Sequence, residues 1–148
     1  MKSMYNDMIR FIKDYSVAYS EYGQVAETHR VMDKFYAPDV CFDEGFVTDR
    51  EQWYKICLSH PTIQDKLTME HLFVDEKQKE VGALARTQAI NRVTGEVIVE
   101  LKMNVLYQLE IDQNMDMKIK KVNVFLESDP IKVAKLFEVY AMGGKKPQ

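Results

Sequence analysis

The sequence has few of the residues that break up a chain or staple it together. Among its 148 residues there are only 6 glycines, 4 prolines and 2 cysteines. So little Gly and Pro argues against a linker-rich or disordered chain, and two cysteines are too few for the disulfide framework of a small secreted domain. A domain of this length buries roughly 70% of the surface that its unfolded form exposes. The fold therefore needs no disulfide or metal as a staple.

An excess of one charge and a long apolar run are also missing. The net charge is -3, with acidic and basic residues interspersed, which gives no electrostatic reason to expect a nucleic-acid partner or an anionic membrane surface. No apolar run approaches the roughly 18 residues that suggest a membrane span. The N-terminal residues carry charges every few positions and lack the apolar stretch of a signal peptide. We therefore predict no nucleic-acid partner, no membrane partner and a cytoplasmic location.

Cysteine and histidine offer little metal chemistry. Cys41 and Cys57 lie within apolar segments without a CxxC spacing, which predicts two buried free thiols. The three histidines at 29, 60 and 71 have neither HxxxH nor HExxH spacing. The sequence thus predicts no metal site.

Tyrosine and methionine are what the sequence has in excess. There are 8 Tyr and 9 Met, and five of the tyrosines fall in the first 36 residues. Tyr15, Tyr19 and Tyr22 form one stripe of an amphipathic helix predicted over residues 4–22. This stripe is either an ordinary core face or the wall of a pocket in which phenols donate hydrogen bonds to a developing oxyanion.

The rest of the chain alternates between helical and strand periodicity. Thr48 to Glu51 has the pattern of a capping box and opens a helix that carries Trp53, Ile56 and Cys57 inward. Residue parity in the second long strand is ambiguous, so that Arg86 and Gln88 face either way. The predicted elements are helices at 4–22, 25–36, 48–60 and 129–141 and strands at 40–43, 68–75, 80–93, 96–111 and 117–127. Helices followed by a long meander predict an α+β fold with the helices on one face of an antiparallel sheet, as one domain over residues 1–142 with a flexible tail at 143–148.

Three stretches of the chain carry a resemblance to a known family. They are FYAPDVCFD at residues 35–43, TMEHLF at 68–73 and IKKVNVFLESD at 119–129. With the element order they make the chain similar to the SnoaL-like branch of the nuclear transport factor 2-like superfamily, which includes polyketide cyclases, scytalone dehydratase and ketosteroid isomerase. The resemblance implies a curved antiparallel sheet wrapped around the N-terminal helices, a cone-shaped pocket open at one end, and homodimers that form through the outer sheet face.

The same resemblance implies catalytic residues. His71 matches the strand where many members place a histidine that acts as general acid or base. Such a His needs an orienting carboxylate, for which Asp43, Glu44 and Glu21 are the candidates, and Tyr15 lies near the oxyanion-binding Tyr of ketosteroid isomerase.

Each of these residues also has an ordinary structural interpretation. His71 then faces solvent at a strand edge, Glu44 is a solvated turn residue, and Tyr15 belongs to the core. The second histidine of scytalone dehydratase is replaced here by an apolar residue near Leu106, so the full dehydratase set is absent.

The remaining predicted pocket residues are apolar or aromatic. They come from the first and third predicted helices and from the inward faces of the last two strands: Tyr19, Tyr22, Trp53, Met103, Tyr107, Val122 and Val124.

Two functions are consistent with these residues and with the resemblance. The first is a cofactor-free isomerase, dehydratase or cyclase acting on an apolar ring-containing substrate. The second is a binding module that holds a small apolar ligand without chemistry, or a dimeric interaction protein of the same fold.

Overall fold

The computed structural model describes residues 3–126 and 129–144. Within these ranges the structure has three α-helices and five strands, and the strands form one sheet of order β1-β5-β4-β3-β2. Their bounds are α1 Tyr5–Glu21, β1 Tyr36–Phe42, α2 Arg50–Cys57, β2 Ile63–Asp75, β3 Glu80–Asn91, β4 Val97–Ile111, β5 Met117–Leu126 and α3 Pro130–Gly143. Within the described ranges, no helix has the length and apolarity needed to cross a membrane.

The sheet combines an antiparallel meander with one parallel strand. Strands β2 to β5 pair antiparallel in sequence, as the alternating pattern predicts, and β1 adds parallel to β5. The predicted α+β layout with an antiparallel meander is confirmed; the sheet as a whole is mixed and open, because β1 is parallel to its neighbour. Pro38, which lacks a backbone N–H, is accommodated by a register shift between Tyr36 and Cys41.

The first helix agrees with the prediction from sequence, whereas the segment that follows it does not. Helix α1 buries its predicted stripe, including Met8, Ile12, Tyr15 and Tyr19, and ends before Gly23. The predicted second α-helix is instead a short 3-10 helix, His29–Lys34. That prediction was wrong because one apolar face over a dozen residues does not distinguish an α-helix from a 3-10 segment.

Helix α2 begins one residue later than the predicted capping box. Asp49, not Thr48, is its N-cap, and the Asp49 carboxylate accepts a hydrogen bond of 2.8 Å from the backbone N–H of Gln52. Gln52 rather than Glu51 reaches back, because its Oε1 accepts a hydrogen bond of 2.8 Å from the Thr48 N–H, while the Glu51 carboxylate pairs with Arg30. Ile56, predicted inward, is exposed, whereas Cys57 is buried.

The buried residues of β3 show which side of this strand faces inward. Its buried residues are Val81, Ala83, Ala85, Thr87 and Ala89, so that the intervening Arg86 and Gln88 lie on the outer face. There Arg86 pairs with carboxylates of the two neighbouring strands. Small alanines on this inner side leave room above the sheet for the side chains of the helices.

Two apolar clusters cover the inner face of the sheet. One joins α1 and β1 to the central strands, and the other joins Leu136 and Val139 of α3 to Ile63, Leu101 and neighbouring residues. Helix α3 starts as predicted, with the Asp129 carboxylate accepting hydrogen bonds from two backbone N–H groups and Pro at the first helical position. Gly143, predicted as the first tail residue, is the last helical residue and is buried, whereas residues 145–148 lie outside the described ranges.

Candidate functional site

A cavity of about 230 Å³ lies between the two apolar clusters, enclosed by α1, α2, α3 and the inner face of the sheet. Its polar side chains other than tyrosine are Asp43, Asp65 and Thr87. The remaining lining is aromatic, aliphatic or methionine: Tyr15, Tyr19, Phe42, Phe46, Trp53, Leu67, Met103, Val105, Tyr107, Val122, Val124, Leu126, Leu136, Phe137 and Tyr140. Such a lining, with a few placed polar groups, is typical of a small-molecule site.

Asp65 is the carboxylate inside this cavity. Its Oδ2 accepts a hydrogen bond of 2.7 Å from the hydroxyl of Tyr19, and its Oδ1 accepts one from the hydroxyl of Thr87. The Gln24 side-chain amide donates to the Asp65 backbone carbonyl and accepts from its N–H, at 2.8 and 2.7 Å. The carboxylate is therefore fixed both by its own oxygens and by its backbone.

The pKa of the Tyr19 phenol is affected by this contact. Burial raises the pKa of Tyr19 well above its ordinary value, and the charge of Asp65 raises it further. Tyr19 thus stays protonated and keeps donating to the carboxylate across the physiological pH range.

Tyr140 reaches the same region from α3. Its ring packs against the imidazole of His60, with 4.7 Å between ring centroids. Its hydroxyl is buried beside the side chains of Asp65 and Thr87, but it makes no hydrogen bond of ordinary length and angle with any described residue. Burial raises the pKa of Tyr140, and so does the charge of nearby Asp65, which keeps the phenol a donor.

A separate group of aromatic side chains forms the wall next to β1. The hydroxyls of Tyr15 and Tyr36 are 3.0 Å apart, and the Trp53 indole N–H donates to the Tyr36 hydroxyl at 3.1 Å. Trp53 also stacks on Phe42 at 4.1 Å between centroids. Burial raises the pKa of Tyr15 and of Tyr36 well above the ordinary value. The Tyr15 hydroxyl thus already has a partner within the core.

The fold resembles several solved structures. A SnoaL-like polyketide cyclase from Agrobacterium tumefaciens is 16% identical, with a TM-score of 0.58 over 93% of this chain and 99% of its own. PrhC from Penicillium brasilianum is 13% identical, with a TM-score of 0.66 over 96% of both chains. Nuclear transport factor 2 from Cryptosporidium parvum is 9% identical, with a TM-score of 0.64 over 86% of this chain and 98% of its own. No protein-family model matches the chain, and no curated protein sequence matches it.

The chain has the nuclear transport factor 2-like fold. Sequence identities this low show a shared fold and say nothing about ligand or activity. The function therefore has to follow from the side chains that this nuclear transport factor 2-like chain places in its cavity.

Several of the predicted site residues line the cavity of this nuclear transport factor 2-like domain. They are Tyr15, Tyr19, Asp43, Trp53, Met103, Tyr107, Val122 and Val124. Asp43 lies at the mouth, where its carboxylate accepts a hydrogen bond of 2.8 Å from the Val124 N–H. Phe46 and Phe137, which are 74% and 61% exposed, flank the same opening.

Glu44 and Tyr22 lie outside the lining. Glu44 follows Asp43 in a turn where both residues have a positive φ, and its exposed carboxylate pairs with Lys121. Tyr22 follows the last residue of α1 and is exposed. Glu21 is exposed as well, and none of the three is part of the cavity surface.

His71 is also exposed and outside the lining, for a reason that lies in the strand. In the first part of β2 the inward residues are Ile63, Asp65 and Leu67, whose alternation would bring position 71 inward. A bulge between Met69 and His71 interrupts the pairing with β3. One extra residue reverses the facing of every later side chain, so that His71 is turned outward.

Asp65, Thr87 and Tyr140 were missed by the sequence prediction. Residues 63–67 were not assigned to a strand, although Ile63, Asp65 and Leu67 alternate with polar neighbours. An acid on the apolar side of that alternation was the available signal. For Tyr140 the signal was its helical spacing from Leu136, which places both on one face of α3.

Proposed function

We propose that this protein binds one small apolar ring-containing molecule in its cavity and acts on it as a cofactor-free isomerase, dehydratase or cyclase. Asp65 is the group that transfers the proton. The observation that carries the proposal is a carboxylate fixed on the wall of an otherwise apolar cavity, with a donor on each oxygen. The likeness to a polyketide cyclase agrees with this reaction class but does not establish it.

The size of the cavity limits the ligand. An apolar cavity of about 150 Å³ is large enough to hold benzene. The 230 Å³ here suits a molecule of about two fused rings. A four-ring compound needs Phe46 and Phe137 at the mouth to move outward.

The chemistry follows from the position of Asp65. A carboxylate removes a proton from carbon most effectively when it is held close to the reacting atom and shielded from water. The hydroxyls of Tyr19 and Thr87 hold the Asp65 oxygens in place, and the apolar lining excludes solvent. In this proposal Asp65 takes the role first predicted for His71, while Asp43 remains at the mouth as a second carboxylate that contacts the entering ligand.

Proton exchange in a bicyclic ketone tests this directly. The exchange of the α-protons of 2-tetralone in D2O is followed by proton NMR, with the uncatalysed rate subtracted. We expect the wild-type protein to accelerate the exchange and Asp65→Asn to lose at least tenfold of the acceleration. His71→Ala is the matched control and should keep the wild-type rate. Equal rates for wild type and Asp65→Asn would contradict the proton-transfer role.

The alternative is ligand binding without chemistry. It is favoured by the fact that both oxygens of Asp65 already accept hydrogen bonds within the protein. In that case 2-tetralone binds, but its exchange rate stays at the uncatalysed value.

We also propose that the protein forms a homodimer through the outer sheet face. Phe73 and Phe125 are 61% and 59% exposed there, and Leu84 lies between them in a shallow apolar groove. Light scattering coupled to size exclusion should give twice the chain mass for the wild type and the single mass for Phe125→Lys. A wild-type monomer at high micromolar concentration would contradict the dimer. The cytoplasmic location stays a prediction.

A further inference from the structure

We infer that Tyr140 is the residue that recognises the polar end of the ligand, by donating a hydrogen bond to an oxygen of a neutral molecule. The inference rests on the proposed use of the cavity as a ligand site. It adds a specificity-determining residue on α3 and a ligand class, which is an uncharged ring compound that carries an acceptor oxygen.

The hydroxyl of Tyr140 differs from the other hydroxyls around it. Tyr19 and Thr87 donate to Asp65, and Tyr15 bonds with Tyr36. The Tyr140 oxygen is buried beside Asp65 and Thr87, but within the described ranges it makes no hydrogen bond of ordinary length and angle. Buried polar groups are nearly always hydrogen-bonded, and one that is not calls for an explanation. A ligand oxygen in the adjoining cavity would give it an acceptor of ordinary geometry, in competition with Asp65, whose two oxygens already accept from Tyr19 and Thr87.

Packing explains the ring of Tyr140 but not its hydroxyl. The ring lies against His60 and packs on the apolar cluster that contains Leu136 and Val139. A phenylalanine would make the same contacts without a buried unpartnered oxygen. The hydroxyl therefore contributes nothing to the packing and is available for recognition.

The charge of Asp65 and the protonation of Tyr140 restrict which ligands the cavity can bind. The Tyr140 phenol remains protonated because burial and the carboxylate of Asp65 both raise its pKa. It is a donor, and it requires an acceptor such as a carbonyl, ether or hydroxyl oxygen. The same carboxylate repels anions in a site of low dielectric constant, so that a carboxylate-bearing ligand should bind more weakly than a neutral one.

Trp53 makes the test possible. It is the only tryptophan of the chain and it lines the cavity, so its fluorescence reports a ligand there. Three probes of one size are titrated, with correction for the inner-filter effect: tetralin, 2-tetralone and 1,2,3,4-tetrahydro-2-naphthoate. They share the two-ring skeleton and differ in having no oxygen, a neutral acceptor or an anionic group.

We expect 2-tetralone to bind about three- to tenfold more tightly than tetralin to the wild-type protein, which is the range for one net hydrogen bond. The naphthoate should bind most weakly. Tyr140→Phe should bind tetralin as the wild type does and lose the preference for 2-tetralone. Tyr22→Phe makes the same chemical change outside the cavity and should keep that preference.

The outcomes distinguish the role of Tyr140 from the proposed use of the cavity as a ligand site. If tetralin and 2-tetralone bind equally to the wild type, or if Tyr140→Phe keeps the preference, the role of Tyr140 is overturned while the cavity remains a ligand site. If none of the three probes changes the Trp53 signal, the proposed function fails and the inference fails with it. Circular dichroism of both variants checks that the fold is unchanged.

Discussion

Removing the Tyr19 hydroxyl should destabilise the protein, whereas removing the Tyr140 hydroxyl should not. The two phenols lie in the same cavity, and both are held by apolar packing of the ring. Only Tyr19, which is 6% exposed, donates to the Asp65 carboxylate, at 2.7 Å. Tyr19→Phe therefore leaves one oxygen of a partly buried carboxylate without its donor. Tyr140→Phe removes a hydroxyl that lies beside Asp65 and Thr87 without a hydrogen bond of ordinary length and angle to either.

The magnitude follows from the charged acceptor. A hydrogen bond to a charged group contributes about 1.5–3 kcal/mol, so that Tyr19→Phe should lower the free energy of unfolding by about 2 kcal/mol. The unfolding entropy of a chain of 148 residues is about 0.3 kcal/mol/K near 60 °C. The midpoint of thermal unfolding should therefore fall by about 6 °C. For Tyr140→Phe the change should stay within about 2 °C.

Thermal unfolding followed by circular dichroism, supported by urea titration, measures both variants. Tyr22→Phe, an exposed position outside the cavity, gives the baseline for a tyrosine-to-phenylalanine change. A loss below about 0.5 kcal/mol for Tyr19→Phe would refute the stabilising role of the Asp65 cluster. A loss for Tyr140→Phe as large as that for Tyr19→Phe would show that the Tyr140 hydroxyl has a structural partner.

Three further predictions test other parts of the structure. Burial raises the pKa of Tyr15 and Tyr36, so that the folded state keeps protons that the unfolded state loses above pH 10. The free energy of unfolding should therefore be full below pH 10 and fall as the pH rises. Tyr15→Phe should reduce the slope of the unfolding free energy against pH, measured by urea titration at alkaline pH, by up to about 1.4 kcal/mol per pH unit, and an unchanged slope would contradict this. Glu44→Gly should raise the free energy of unfolding by about 0.5–1 kcal/mol, because the φ of 57° at Glu44 is unfavourable for a residue with a side chain. The exposed ion pair of Glu44 with Lys121, which the substitution removes, contributes little. A loss of stability would mean that the ion pair outweighs the backbone strain. Gly143→Ala should cost about 1–3 kcal/mol in the same assay, since a Cβ there would lie 2.5 Å from the Ile63 Cγ1, and a neutral result would show that the end of α3 shifts freely.

The regular parts of the fold could be predicted because their signals are local and repeated. Val99, Leu101 and Val105 alternate over one long strand, and all three are buried as expected. The start of α3 follows from Asp129 and Pro130, whose capping geometry involves neighbouring backbone groups only. The element order that follows from such signals was enough to point to the fold.

The site was harder to predict because it depends on a single irregularity and on distant contacts. The bulge before His71 moves the inward apolar positions from Leu67 and Met69 to Leu72 and Val74, and it turns the His71 side chain away from the cavity. Phe73, which is apolar but exposed, hides this change of parity in the sequence. Asp65 is one polar residue among others until Thr87 of β3 and Tyr19 of α1 are brought to it. Both contacts join residues more than twenty positions apart, and periodicity carries no information on that scale.

A crystal structure of the protein with 2-tetralone bound tests the central claim most directly. We predict the two rings inside the cavity beside Trp53, with an α-carbon about 3–3.5 Å from an oxygen of Asp65 and the carbonyl oxygen within hydrogen-bond distance of Tyr140. Rings bound outside the cavity, or a ketone turned toward Phe46 at the mouth with no carbon near Asp65, would contradict it.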